Sequence, residues 1–325
     1  MNTKNSIKVV ILLIFVIIIA FFVPSRKEQA RENFISGYVA ESSQEEKDLY
    51  EQSRILIISN NYSWRPKEET GTSTQPEING IAGFVVDINS GEVFFEKNSA
   101  KKLKIASLVK IMTAVVALEH KNLGSKIYVS QKAASIGENS MGLSMGESYT
   151  LEQLLYGLML SSGNDAAYAI AEGVAGSSDR FVDWMNFKAQ DIGLKDTKFY
   201  DPSGLDDRTY STPQDLAILT KYAMKNENFK KIVATVETEI PYSKTNKFIP
   251  LYNQTNLLTT YPGVAGVKTG YTEEAGLCLV TYAKNQGVEL VGIVLNSSDR
   301  KGDMIQMLDH SFSTKGVFVE HNLLD

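Results

Sequence analysis

The sequence predicts an α+β fold in which helices pack on an antiparallel β-sheet. Two strand-like segments joined by a turn form an opening hairpin at residues 82–96. Further strand-like segments follow one another at 264–295, near the other end of the chain. Between these regions, apolar residues recur at helical spacing. The part of the chain after about residue 77 has about 240 residues, a length that suits a single globular unit with a large core.

The first helical pattern begins at Ser107. Its apolar positions are Leu108, Ile111, Met112, Val115 and Val116. Residues three apart share a helix face, so Ser107 and Lys110 are expected to lie side by side. Burial, and a second cation from Lys268, should lower the pKa of Lys110 from about 10.4, and a neutral Lys110 can take the proton of Ser107. If the other two motifs were missing, these two residues would be better interpreted as a serine that caps the helix and a lysine whose ammonium group extends into solvent.

The second motif, Ser162-Gly-Asn164, lies between two helical patterns. A capping box, Thr150-Leu-Glu-Gln153, starts the first helix, and the second starts at Asp165. The loop 161–164 is therefore held at both ends and can direct a hydroxyl and an amide into a cleft. Taken alone, the same tripeptide is equally typical of an ordinary helix–helix turn.

The third motif, Lys268-Thr-Gly270, ends a strand-like segment that starts at residue 264, in which glycines allow close backbone approach. A partner strand at 277–283, a turn at 285–287 and a strand at 288–295 follow. Lys268 on the strand edge can offer positive charge to a carboxylate, and Thr269 a hydroxyl. Because a strand edge can also pair with an extended chain, the predicted ligand is a peptide.

Together the three motifs predict an acyl-transferring serine site. A serine hydroxyl needs a base, a proton relay and donors for the oxyanion, and the motifs supply these groups. Each motif by itself is more typical of ordinary structure. Their order along the chain, with gaps of about 50 and about 100 residues, is what favours catalysis.

These motifs resemble those of the serine D-alanyl-D-alanine carboxypeptidases, the low-molecular-weight penicillin-binding proteins, for which S-x-x-K with K-T-G is an established signature. The resemblance extends over residues 78–319. It includes Ile105-Ala-Ser-Leu-Val-Lys110, Ser140-Met-Gly-Leu-Ser-Met-Gly-Glu147, Met159-Leu-Ser-Ser-Gly-Asn-Asp-Ala166, Asp201-Pro-Ser-Gly-Leu-Asp-Asp207 and Ser211-Thr-Pro-Gln-Asp-Leu216. It implies a β-lactamase-like fold, in which a mostly helical subdomain lies beside the sheet and the active site lies between them.

The resemblance also implies roles for the motif residues. Ser107 would be the nucleophile and Lys110 its base. The other implied assignments are the relay and positioning pair Ser162 and Asn164, the substrate-binding set Lys268, Thr269 and Gly270, and the oxyanion-hole amides of Ser107 and Tyr271. The implied reaction removes the terminal D-alanine of peptidoglycan stem peptides through an acyl-enzyme, and β-lactams would acylate the same serine. No cofactor is expected.

The chain departs from the family pattern after the catalytic domain. Members commonly continue into a small β-rich domain and an amphipathic C-terminal helix, whereas here the domain at 78–319 is followed by a short tail at 320–325, and no C-terminal β-domain is expected. Arg300 is a weak candidate for binding the substrate carboxylate, and a cation in a loop is its better interpretation.

Residues 1–24 predict an export signal. The apolar run 9–23 follows Lys4 and Lys8, and at about 15 residues it is long for a signal-peptide core but short for a spanning helix. A poor cleavage site and the basic residues after it favour an uncleaved membrane anchor over a secreted form. We therefore expect the enzyme on the extracytoplasmic face of a bacterial membrane. The polar segment 25–77 predicts a stem, whose apolar patch 55–64 is expected to dock on the catalytic domain or to form a short strand.

The remaining composition argues against several other functions. Cys278, the single cysteine, is expected to act as a small buried hydrophobe. His120, His310 and His321 lie away from the motifs, which argues against a Ser-His-Asp triad and a zinc site. The net charge of -5, without a basic cluster, argues against nucleic acid as a partner.

Three alternative functions share much of this machinery. A class A β-lactamase needs a glutamate-held water and commonly has S-D-N, whereas this chain has Gly163 in the second motif and no obvious E-x-x-x-N before Lys268. A non-catalytic penicillin sensor would be free to lose a motif, and all three are present. A D,D-endopeptidase that cuts cross-links needs the same residues, so the sequence does not separate it from a carboxypeptidase.

Overall fold

The computed structural model describes Trp64 and residues 75–323, which lie within one compact unit, Leu49–Asp325. The predicted anchor at 9–23 and nearly all of the predicted stem lie outside the described residues. Within the part of the chain that is described, no helix has the length and apolar character needed to cross a membrane.

Strands and helices alternate irregularly along residues 75–323. The strands are β1 (Ala82–Asp87), β2 (Val93–Lys97), β3 (Leu103–Lys104), β4 (Lys126–Tyr128), β5 (Ser148–Thr150), β6 (Tyr210–Ser211), β7 (Glu237–Ile240), β8 (Ile249–Tyr252), β9 (Val264–Thr272), β10 (Gly276–Asn285) and β11 (Val288–Ser297). The α-helices are α1 (Lys110–His120), α2 (Gln131–Ala134), α3 (Leu151–Met159), α4 (Asn164–Ala175), α5 (Ser178–Asp191), α6 (Pro213–Ala223), α7 (Glu227–Ala234), α8 (Leu257–Thr260) and α9 (Arg300–Thr314). A 3-10 helix, Ala106–Val109, leads directly into α1.

The main sheet is antiparallel and has the strand order β2-β1-β11-β10-β9. The opening hairpin and the C-terminal strands predicted from the sequence are therefore confirmed as one sheet. Strands β9 and β11 are longer than predicted, ending at Thr272 and Ser297. Because β9 is at the edge of this sheet, its third-motif residues lie on an open strand edge, as the sequence predicted.

Helix α9 covers one face of the sheet. Its buried side chains Met304, Leu308 and Phe312 pack with sheet residues such as Val85 and Leu290 in one hydrophobic cluster. Helix α6 contacts β1 and β11. Helices packed on an antiparallel sheet give the α+β fold that the sequence predicted.

Helix α1 is the central helix of the helical part of the molecule. All of its residues from Lys110 to His120 are buried, and it contacts α3, α4, α5 and α6. A helix that is buried on every side must satisfy its polar groups internally. Accordingly, Glu119 forms a buried ion pair with Lys188, with a Nζ–Oε2 distance of 2.7 Å.

The two helices that flank the second motif begin as local chemistry dictates. The predicted capping box at Thr150 and Gln153 is present and starts α3. Helix α4 begins at Asn164, one residue before the predicted start at Asp165. The short strands β3 to β8 were not predicted, because each of them has only two to four residues, too few for a periodic pattern.

Trp64 is the described part of the apolar patch 55–64. Its ring makes an edge-on contact with the buried Phe84, with 6.1 Å between ring centroids. The ammonium of Lys221 lies 5.6 Å from the centroid of the Trp64 ring. At Trp64, therefore, the patch contacts the catalytic domain, and the other residues of the patch lie outside the described residues.

Candidate active site

The serine and the lysine of the first motif are in direct contact. Ser107 lies in the 3-10 helix and Lys110 begins α1, so the predicted shared face is present. The Nζ atom of Lys110 lies 2.8 Å from Ser107 Oγ. It also donates to Asn164 Oδ1 at 2.7 Å and to the Ser203 carbonyl oxygen at 2.6 Å. Lys110 is fully buried, so these three oxygens replace its solvation by water.

The environment of Lys110 favours the neutral amine. Burial lowers the pKa of Lys110 from 10.5 to about 7, although the carboxylates of Asp201, Asp165 and Glu138 oppose the change. The expected lowering by burial is therefore confirmed, whereas the expected contribution of Lys268 to the pKa of Lys110 is not found. The pKa of Lys268 is lowered well below 10.5. Burial is the largest cause, and repulsion from the charges of Lys110 and Arg300 lowers this pKa further.

This geometry suits a general base. A neutral amine has two N–H donors and one lone pair. When the two donors bind Asn164 Oδ1 and the Ser203 carbonyl, the lone pair is directed at Ser107 Oγ, which lies at hydrogen-bond distance. Lys110 can then accept the hydroxyl proton of Ser107 without reorientation.

The segment 201–205 was part of the resemblance, but no role for it was predicted from the sequence. The carboxylate of Asp201 accepts hydrogen bonds from the backbone amides of Ser203, Gly204 and Leu205 and from the Ser203 hydroxyl. These bonds form a tight turn that presents the Ser203 carbonyl to Lys110. The only local signal was a turn-forming Pro-Ser-Gly after an aspartate.

Gly204 brings this turn against the helix that carries the nucleophile. Gly204 has a φ of +89°, and a Cβ there would lie 2.1 Å from the carbonyl oxygen of Ala106. Thr113 of α1 also donates to the Pro202 carbonyl at 2.6 Å. Only glycine combines this backbone conformation with such close approach, so the segment 201–205 acts as a fixed support behind Ser107 and Lys110.

The second motif is held by a neighbouring loop. The Asn164 side chain donates to the Gly137 carbonyl at 3.1 Å, and its backbone amide donates to the Asn139 carbonyl at 2.8 Å. These bonds leave Asn164 Oδ1 directed at Lys110. Ser162 is buried, has a φ of +56°, and its hydroxyl has no hydrogen-bond partner among the described residues. A buried hydroxyl in a strained backbone conformation is available to a bound ligand.

Asp165 fixes the loop that supports Asn164. Its carboxylate accepts from the backbone amides of Met141, Gly142 and Leu143 at 2.9–3.0 Å, and from the hydroxyl of Ser140. The side chain is buried, and backbone donors compensate for its lost hydration. This residue was also not singled out from the sequence, where an aspartate after the motif indicated only a helix start.

The third motif approaches the nucleophile from the sheet. A Cβ on Gly270 would lie 3.0 Å from the Ile105 carbonyl oxygen and 3.2 Å from the Ser107 amide nitrogen. The backbone of β9 therefore runs beside the 3-10 helix, and Tyr271 follows Gly270 on this edge strand. This proximity is what an oxyanion hole built from the Ser107 and Tyr271 amides requires.

Lys268 is also buried within the site. Its ammonium group donates to the Thr269 carbonyl oxygen at 2.9 Å. Lys110 lies close enough for their charges to repel, so one elongated polar region contains both lysines. The structure thus brings residues of all three motifs together between the sheet and the helical part of the molecule.

The sequence matches the Peptidase S11 family, described as D-alanyl-D-alanine carboxypeptidase, over residues 69–299. This chain belongs to that family. It is 38% identical over 268 residues to D-alanyl-D-alanine carboxypeptidase DacF of Bacillus subtilis, which covers 80% of this chain and 69% of that protein. It is 29% identical over 229 residues to a D-alanyl-D-alanine endopeptidase of Pseudomonas aeruginosa, covering 69% of this chain and 74% of that protein.

The structure is also similar to a solved member of the family. The Streptomyces K15 DD-transpeptidase crystal structure matches with a TM-score of 0.70 and 33% sequence identity, covering 74% of this chain and all (100%) of that chain. The penicillin-binding-protein fold inferred from the resemblance is therefore confirmed.

In this protein Arg300 lies in a helix, whereas the sequence suggested that it lies in a loop. The interpretation as a loop cation was wrong, because Arg300 is the first residue of α9. Its guanidinium donates to the Gly270 carbonyl at 2.8 Å and lies 3.4 Å from the Cys278 carbonyl. Arg300 therefore contacts the backbone of the third motif and adds positive charge near Lys268.

Cys278 and the histidines lie outside the reacting groups. Cys278 is fully buried in β10 opposite Gly270, and burial raises the pKa of its thiol to about 11, as suits a small hydrophobe. His120 stacks on Trp184, with 4.5 Å between ring centroids. Among the described residues, no cluster of histidine, cysteine and acidic side chains has the arrangement of a metal site.

Proposed function

We propose that this family member is a serine-type D-alanyl-D-alanine carboxypeptidase that removes the terminal D-alanine from peptidoglycan stem peptides. Ser107 is the nucleophile, and β-lactams acylate the same hydroxyl. The observation that carries the proposal is the contact of 2.8 Å between Ser107 Oγ and Lys110 Nζ, whose pKa of about 7 leaves much of it neutral near neutral pH.

The reaction proceeds through an acyl-enzyme. Ser107 Oγ attacks the penultimate carbonyl carbon while its proton passes to Lys110 Nζ, and the amides of Ser107 and Tyr271 stabilise the oxyanion. The C–N bond then breaks, and the amine of D-alanine receives a proton by way of the Ser162 hydroxyl. A water molecule, deprotonated by Lys110, hydrolyses the ester and restores Ser107.

Charge and strand geometry direct the substrate. Lys268 is buried beside a second lysine, so a substrate carboxylate would favour its protonated form and be attracted to it. Thr269 and Gly270 extend this site along the open edge of β9, where the peptide can add as a strand. A free terminal carboxylate is the chemical feature of a carboxypeptidase substrate.

The turn at Asp201 makes a β-lactamase the weaker interpretation. Fast hydrolysis of a penicilloyl-enzyme requires a carboxylate that holds a water molecule near the ester. Asp201 is near Lys110, but backbone amides and the Ser203 hydroxyl already occupy its oxygens. A stable β-lactam adduct on Ser107 is therefore expected.

Related activities share this machinery. One relative is named an endopeptidase and one structural neighbour a DD-transpeptidase, and both reactions begin with the same acylation. The acceptor and the length of the peptide distinguish them. An endopeptidase acting on cross-links is the alternative that the experiment below must separate.

The proposed cellular location of the protein is based on its substrate and on the first residues of the chain. Peptidoglycan lies outside the cytoplasm, and the apolar run 9–23 after Lys4 and Lys8 supports export and retention on the membrane as an uncleaved anchor. Fractionation of cells that produce the full chain would test this: recovery in the membrane fraction supports an anchor, and recovery in the medium supports cleavage.

The deciding experiment measures D-alanine released from a stem-like peptide that ends in D-Ala-D-Ala. The full chain is compared with Ser107→Ala, and a fluorescent penicillin labels both proteins. We expect serine-dependent release and labelling. Labelling retained by Ser107→Ala would refute the assignment of the nucleophile. Serine-dependent labelling with release only from cross-linked dimers would identify an endopeptidase, and labelling without any release would identify a sensor.

A further inference from the structure

The hairpin β7–β8 carries exposed apolar side chains on one face. Along β8, Ile249 and Leu251 point inward, whereas Pro250 and Tyr252 point outward. Phe248 precedes the strand and is 52% exposed, and Tyr252 is 63% exposed. Phe248, Pro250 and Tyr252, here called the apolar stripe, follow the two-residue period of a strand face over about 13 Å. Large exposed rings in a row indicate an interaction surface.

Acidic side chains accompany the apolar stripe. In the hairpin, Glu237 pairs with Tyr252 and Glu239 pairs with Pro250. Directly paired residues of an antiparallel ladder project from the same face, so both carboxylates lie beside the stripe. Both are exposed and accept hydrogen bonds from hydroxyl or amide donors.

A cavity continues the apolar stripe at its C-terminal end. It has a volume of about 340 Å³, and its lining includes Tyr252, Asn256, Thr259, the apolar side chain of Leu258 and the cation Lys301. Amides and hydroxyls both donate and accept hydrogen bonds. The lining therefore combines hydrogen-bonding groups with apolar surface and one positive charge.

The hairpin leads directly to the active site. Two residues after β8, the Gln254 side chain donates to the Ser161 carbonyl at 3.2 Å, and its backbone amide donates to the Leu160 carbonyl at 3.2 Å. Ser161 immediately precedes Ser162 of the second motif. The segment that follows the hairpin therefore contacts the residues that lead into the second motif.

We propose that the apolar stripe and its adjoining cavity bind the glycan strand from which the stem peptide extends. The C–H faces of pyranose rings pack on exposed aromatic rings, whose π faces are negative, while the carboxylates of Glu237 and Glu239 accept sugar hydroxyl groups. In the adjoining cavity, Leu258 can contact the methyl of an N-acetyl group, and Asn256 and Thr259 can bond its amide. Two carboxylates on the same face repel anionic lipids and nucleic acid. This inference rests on the proposed function, because a glycan is useful here only if its peptides are the substrate.

The experiment uses chitin, an insoluble and neutral polymer of N-acetylglucosamine that carries no peptide, so that the active site has nothing to bind and the probe has no charge for Glu237 and Glu239 to repel. Co-sedimentation of the full chain with this glycan is measured for the wild type and for the double variant Phe248→Ala/Tyr252→Ala. The matched control is Tyr128→Ala, which removes a ring that is 71% exposed on β4. We expect the double variant to bind at least about tenfold more weakly and the control to bind as the wild type does.

A second measurement separates this inference from the proposed function and detects misfolding. All three proteins should release D-alanine equally fast from a short soluble peptide, whereas the double variant should show a raised KM on glycan-linked stem peptides. Equal glycan binding by the double variant and the wild type would overturn the inference. A double variant that keeps glycan binding but loses affinity for phosphatidylglycerol vesicles would reassign the face to the membrane. Absence of release by the wild type would instead overturn the proposed function, whatever the glycan result.

Discussion

The lowered pKa of Lys110 predicts a specific pH dependence of stability. The perturbation is Lys110→Met, which replaces the buried amine with an apolar side chain of similar length. The unfolded chain holds the Lys110 proton up to pH 10.5, but the folded chain releases it near pH 7. Between these values the unfolded state binds more protons, so the contribution of Lys110 to the free energy of unfolding rises with pH.

The magnitude follows from the two pKa values. At about 1.4 kcal/mol per pH unit, the change from 10.5 to about 7 makes the charged form about 5 kcal/mol less favourable in the folded state. The resulting destabilisation is about 5 kcal/mol at pH 6 and about 2 kcal/mol at pH 9. The wild type should therefore gain about 3 kcal/mol relative to Lys110→Met between these two conditions.

Urea unfolding of the full chain, followed by tryptophan fluorescence, measures this difference. Hydrogen bonds lost with the amine, such as that to Asn164, affect both pH values equally and cancel. The matched control is Lys244→Met, which removes an exposed ammonium that water solvates in both states. A wild-type-to-variant difference that stays within about 0.5 kcal/mol from pH 6 to pH 9 would refute the reasoning, because Lys110 would then be charged at neutral pH and unsuited as a base.

Three further results are expected. Acylation of the wild type by a penicillin should be half-maximal near pH 7, the pKa of Lys110, and fall about tenfold per pH unit below it; a flat rate from pH 5 to pH 8 would contradict this. Gly204→Ala should slow acylation at least about a hundredfold, because its Cβ would lie 2.1 Å from a backbone oxygen of the helix that carries the nucleophile. Gly193→Ala, at a φ of +82° with nothing within 4 Å, controls for backbone strain alone, and equal rates for the two variants would count against the contact. Cys278→Ser should cost about 1–2 kcal/mol in thermal unfolding and leave acylation unchanged, since the thiol is buried and away from the reaction; slower acylation would show a link to the third motif.

Local sequence patterns predicted the five strands of the main sheet and the three helices that border the first two motifs. The capping box at Thr150, the hairpin at 82–96 and the C-terminal strands depend on neighbouring residues, and the structure confirms them. Strands of only two to four residues were not predicted, because they are too short for a periodic pattern. The strand β3 has two residues and pairs with β6, more than a hundred residues further along the chain, so its own sequence carries no periodic signal.

The same distinction applies to the candidate site. Ser107 and Lys110 are three residues apart, and helix geometry alone predicted their contact. Asp201 and Gly204 act by folding a distant turn against that helix. Nothing in their local pattern indicated that a carbonyl from this turn would bind Lys110. Arg300 was misinterpreted for a similar reason, because its contact is with Gly270, which lies 30 residues earlier in the chain.

Covalent order and helix periodicity are local properties, so the amino-acid sequence alone established which reactive groups are present and which of them share a helix face. It thereby determined the family and the class of reaction. The tertiary structure decided the protonation of Lys110, because its pKa depends on complete burial and on oxygens that lie 54 and 93 residues away along the chain. It likewise decided how closely β9 approaches Ser107, since that distance depends on the packing of the whole sheet against the helices.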